Sequence, residues 1–179
     1  MVYNNKEFIK KLTISACCFA LAMVLPFVTG AIPEIGNMLC PMHIPILLLG
    51  ALAGPLIGGI LGFLAPLARS LIFGSPMLFP IAAAMAPELM AYGAVFGILT
   101  RVFPKKIGSV YAALLIAMVS GRIVGGAAKA LFLAFGLLDS FGMAAFLTSY
   151  FVESIPAVII QLLIIPPTLL ALKRAGIYK

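Results

Sequence analysis

Residues 44–73 read IPILLLGALAGPLIGGILGFLAPLARSLIF, and whether this stretch forms one helix or two decides the architecture. It carries a single charge, Arg69. Ala53-Gly54-Pro55 interrupts it, and proline both lacks the N–H that would continue a helical ladder and disfavours helix at the residue before it. A break there predicts a second apolar pass of about 11 residues, tilted or only partly spanning a ~30 Å hydrocarbon core. A third pass then covers 56–73.

Charge on either side of this stretch settles the choice. The other apolar runs predict passes at 8–28, 80–99, 108–138 and 144–172. With six passes, Lys6, Lys10, Lys11, Arg101, Lys105, Lys106, Lys173, Arg174 and Lys179 all fall on one side. The remaining three of the 12 basic residues lie within apolar runs, and the opposite loops carry only Glu34 and Asp139. Basic loops stay cytoplasmic, so both termini are expected there. A single helix over 44–73 would place the last two basic clusters outside. The expected fold is an all-α membrane bundle of six transmembrane helices with a short second helix, forming one integral-membrane domain over residues 1–179.

Composition points the same way. The chain is 64% hydrophobic and 9% charged, against about 25% charged in soluble domains, so it cannot clothe a water-facing surface. Lipid is therefore its expected solvent. The net charge of +7 sits where membrane topology requires it and gives no support to nucleic-acid binding. Cys17 and Cys18 lie in an apolar helix and Cys40 in a loop; with no C-x-x-C and one histidine, they read as apolar fillers and predict no metal site. The apolar run after Lys10 and Lys11 is longer than a ~7–15-residue signal-peptide core, so it reads as a permanent first helix. Residues 29–42, TGAIPEIGNMLCPM, read as an ordered outer loop.

Five ionisable residues interrupt the apolar passes: Arg69, Glu88, Arg122, Lys129 and Glu153. Each costs at least ~2.5–3.5 kcal/mol at bilayer depth, so they are expected to face inward, toward each other or a ligand. Arg122 lies about 14 residues into its pass, roughly 21 Å at ~1.5 Å per residue. Lys129 follows two turns later on the same face, with Gly125 and Gly126 leaving room between them. Glu88 and Glu153 fall near the midplane, and His43 opens the second pass. All converge on the middle and outer half of the bundle, while the inner half holds mainly Gln161. That asymmetry favours a pocket open to the outside over a continuous pore.

Ordinary readings compete. Glu88, Arg122 and Glu153 would also make a structural salt-bridged triad. Arg69 would snorkel to the outer headgroups. His43 would serve as a loop or capping residue. Tyr92, Tyr150, Asn37 and Met38 suit either a pocket or plain packing. Small residues recur every four positions (Ala16/Ala20, Gly50/Gly54/Gly58/Gly62, Gly93/Gly97, Gly121/Gly125), which by default signals close helix packing.

Catalytic signatures are missing. The sequence contains no P-loop, H-E-x-x-H or G-x-S-x-G. No cofactor is implied. An intramembrane enzyme, or a small stand-alone channel or carrier, remains as the alternative function.

NMLCPMHIPILLLGALAGPLIGGILGFLAPLARSLIFG and the following SPMLFPIAAAMAPELMAYGAVFGIL resemble the S components of energy-coupling factor (ECF) vitamin transporters. The I-P-x-L-L-x-G at 44–50, the G-P-x-x-G-x-x-x-G at 54–62 and the Ala16-x-x-x-Ala20 pair carry the resemblance, together with six passes and cytoplasmic termini. It implies a non-enzymatic, multi-pass protein of a prokaryotic cell membrane that captures a vitamin or related micronutrient from outside. Its implied partners are a membrane scaffold (T) subunit, contacted through Ala16 and Ala20, and two cytoplasmic ATPases. The implied pocket comprises Asn37, Met38, His43, Glu88, Tyr92, Arg122, Lys129, Tyr150 and Glu153. The cations suit a carboxylate and the glutamates suit hydroxyl or amide donors. An anionic hydroxy-amide such as pantothenate fits this pattern; a larger or zwitterionic vitamin is also compatible with it.

Overall fold

A computed structural model describes residues 5–29, 41–104, 106–137 and 155–176. Among these residues there is no strand, and six helices follow in order: α1 Asn5–Thr29, α2 His43–Ala53, α3 Pro55–Phe73, α4 Ala83–Val102, α5 Ile107–Ala134 and α6 Ile155–Arg174. A wider π-type turn, Leu78–Ala82, opens α4. Five stretches are long and apolar enough to cross a membrane, and α2, with 11 residues, is the short one.

The break between α2 and α3 falls where the Ala-Gly-Pro signal puts it. Gly54 has φ 112°, a value side chains disfavour, and its N–H donates to the carbonyl of Gly50 at 3.1 Å. Pro55 then opens α3, where a missing N–H costs nothing. The Arg101 side chain of α4 packs directly over Gly54. At the other end of α2, His43 lies beside Glu88 and Tyr92 of α4. Thus α2 runs alongside only the half of α4 between Glu88 and Arg101, and spans part of the bundle.

α4 is central and packs on α2, α3 and α5. Its closeness to α2 and α3 rests on glycine. A methyl group on Gly93 would run into the Gly58 carbonyl of α3, and one on Gly97 would lie 2.7 Å from the Gly50 oxygen of α2; α2 and α3 meet in the same way, a methyl on Gly58 lying 2.5 Å from the Gly50 Cα. In lipid there is little hydrophobic drive between helices, so such backbone approach and the dispersion it permits hold the bundle. Ile46, Leu47, Leu49, Leu89, Phe96 and Leu114 fill the core beside these contacts.

The described basic residues gather as the charge pattern predicts. The Lys10 ammonium of α1 donates to the Gly176 carbonyl just past α6, at 3.3 Å, joining the first and last helices at one end. Arg101 and Lys106, flanking the α4–α5 turn, and Lys173 and Arg174 lie at that same end, so six passes bring them together as a single basic rim.

Boundaries shift modestly. α1 is longer than 8–28, α4 with its opening turn is longer than 80–99, and α5 closes at Ala134 rather than 138, before a turn in which Gly136 has φ 67°. For the last pass, residues 144–154 lie outside the described residues.

One expectation is corrected. Arg69 does not snorkel; it is 5% exposed. Its guanidinium donates to the Met23 carbonyl of α1. It also lies 4.5 Å from the Phe27 ring centre and 5.6 Å from that of Phe73, with the two rings edge to face at 4.9 Å. Two aromatic faces and a carbonyl replace the headgroups, because a cation over a desolvated ring is stabilised by ~2 kcal/mol.

Candidate functional site

Glu88 sits one turn before Tyr92 on α4, so both side chains leave the helix on one face. Both are buried, at 7% and 2% exposure. The Tyr92 hydroxyl donates to Glu88 Oε1 at 3.2 Å. His43, the first residue of α2, brings Nε2 to 3.9 Å from the same oxygen, and its ring meets the Tyr92 ring edge-on at 5.0 Å. A buried carboxylate is thus oriented by a phenol and an imidazole from two helices.

The facing wall is α5, and its sequence makes room. A methyl group on Gly125 would lie 2.7 Å from Glu88 Oε2, and one on Gly121 would lie 2.8 Å from Tyr92 Cε1. The four-residue spacing that reads as ordinary helix packing here admits the side chains of the polar cluster. Gly121 and Gly125 belong to the site, and their periodicity alone did not separate them from the packing glycines.

Continuing the same stripe by four residues reaches Lys129, which is half-buried. Arg122, also half-buried, stands two turns before Lys129 on that helix. The structure therefore unites His43, Glu88 and Tyr92, with Arg122 and Lys129 on the facing helix α5. Arg69 is elsewhere, clamped between α1 and α3. Asn37, Met38, Tyr150 and Glu153 lie outside the described residues, and with Glu153 so does the suggested triad.

Such an arrangement can bind a small polar molecule. Glu88 offers an acceptor to hydroxyl or amide donors, and the α5 cations offer charge to an anion. On α1, Ser15, Cys18, Ala22 and Met23 turn inward, whereas Ala16 and Ala20 are exposed, so among the described residues their small-residue face is not covered.

A multi-pass helical membrane bundle with a polar cluster at its centre is the class these features define. The family model for the ECF transporter substrate-specific component matches residues 10–169, and the chain belongs to that family. No curated protein and no solved structure matches it.

Proposed function

We propose that this protein is the high-affinity capture subunit of an ECF-type importer in a prokaryotic cell membrane, taking up a vitamin-like micronutrient from the outer side. The observation that carries this reading is the buried Glu88 carboxylate, held by Tyr92 and His43 against the glycine-cleared, cation-bearing wall of α5. An intramembrane charge maintained this way marks a ligand site. His43, Glu88, Tyr92, Arg122 and Lys129 form its inner lining, with Asn37, Met38, Tyr150 and Glu153 contributed by adjoining segments.

Arg122 and Lys129 engage a ligand carboxylate, and Glu88 accepts from its hydroxyl or amide donors. An anionic hydroxy-amide of the pantothenate type is the ligand class we favour. Energy comes from a scaffold subunit and two ATPases, with Ala16 and Ala20 on the scaffold-facing surface. Mass spectrometry of small molecules retained through purification tests the reading, followed by equilibrium binding. One tight ligand, recovered chemically unchanged and bound without ATP, is the expected result. Chemical conversion of the retained molecule, or its free passage through liposomes by this chain alone, overturns it.

A further inference from the structure

Away from Glu88, the basic end of the bundle carries a second concavity. The end of α4, the turn after it, the start of α5 and the last two turns of α6 line a shallow cleft of about 40 Å3, open on one side. Its walls are apolar, built from Phe103, Ile107, Val110, Pro166, Leu169 and Leu170, while Lys106 and Lys173 stand on its rim. The Thr100 hydroxyl within it is turned back onto the Phe96 carbonyl at 2.9 Å, and Ser109 also lines it, so the two lysines supply its positive charge.

We propose that this cleft binds one anionic phospholipid, its phosphate between Lys106 and Lys173 and an acyl chain against the α5–α6 wall. Three observations carry the assignment. The cleft lies where the membrane-spanning helices end, beside Arg101 and Arg174, at headgroup depth. Both rim groups are cations, and basic pockets between transmembrane helices at this level recognise anionic headgroups. The wall is apolar well below the rim, a surface that a small soluble anion leaves unused and a lipid tail covers. A zwitterionic lipid matches the wall but neutralises less of the rim charge.

The test uses the purified full chain exchanged into detergent with phosphatidylglycerol or phosphatidylcholine of equal chain length, read by native mass spectrometry. Wild-type protein is expected to retain phosphatidylglycerol preferentially. Lys106→Gln/Lys173→Gln should lose that retention by roughly tenfold or more, and Lys106→Arg/Lys173→Arg should keep it. Leu170→Trp fills the cleft while leaving both charges, and should also lose retention. It decides the matter even if the double glutamine variant fails to fold.

Equal retention of the two lipids by wild type overturns the proposal. Undiminished phosphatidylglycerol in Leu170→Trp, or in a folded glutamine variant, overturns it as well. Displacement of the lipid by water-soluble glycerol 3-phosphate assigns the rim to a free anion instead. None of these outcomes depends on the substrate bound near Glu88.

Discussion

Gly125 of α5 faces Glu88 of α4 so closely that a single methyl group on the glycine would stand 2.7 Å from the carboxylate oxygen Oε2. The contact is to the mobile end of a side chain. Gly125→Ala should therefore leave the fold intact, because Glu88 can swing aside, but it should displace the carboxylate from its place against Tyr92. We expect ligand affinity to fall by about tenfold, the scale of a lost charge-assisted hydrogen bond, with little change in melting temperature. Unaltered affinity in a folded variant would place Glu88 outside the binding contacts.

Gly58→Ala should behave in the opposite way. Its new methyl meets the Gly50 backbone at 2.5 Å, and backbone cannot yield as a side chain does. Overpacking of this kind costs about 1–3 kcal/mol. The expected signature is a lower melting temperature, with affinity per folded molecule close to wild type.

Arg122→Ala should weaken ligand binding about tenfold or more, on the scale of a hydrogen bond to a charged group, while the protein still folds. A variant that loses folded yield in proportion to binding would instead assign Arg122 to a structural network with the glutamates.

Arg69→Met removes the cation from between Phe27 and Phe73 and the donor from the Met23 carbonyl. The outer end of α1 should loosen by about 2 kcal/mol, read as faster amide hydrogen exchange around Met23–Phe27, with α5 unaffected. Lysine at this position should recover only part of the protection, because a compact ammonium lacks the planar fork that donates to a carbonyl and stacks on rings at once. Exchange confined to wild-type rates would mean the clamp is not what fastens α1 to α3.

Ala16→Leu and Ala20→Leu enlarge an exposed small-residue face without touching the core. Co-purification with the scaffold subunit should fall sharply while ligand affinity holds. Normal assembly by both variants would remove this face as the contact.

Much of the architecture was legible before coordinates. Ala53-Gly54-Pro55 encodes the end of α2 through a missing donor and a left-handed backbone angle, both local properties of the residues themselves. The common side of Lys10, Arg101, Lys106 and Lys173 followed from counting passes. What escaped the sequence depends on distant partners. Nothing near Arg69 indicates that Phe27 and the Met23 carbonyl, 46 positions away, will receive it. His43 read both as a pocket residue and as a loop or capping residue, and its carboxylate and phenol neighbours could not be named because they arrive from another helix. Gly121 and Gly58 share one periodicity, yet the first accommodates a tyrosine ring and the second a backbone; only the rotation of each helix distinguishes them.

The abbreviated α2 divides labour by depth. Below His43 the scaffold is fixed main chain to main chain through Gly50, Gly58 and Gly93, and tolerates almost no variation. Above it, no side chain of α2 claims the column. A change of guest there would leave untouched the glycine contacts on which the foundation rests.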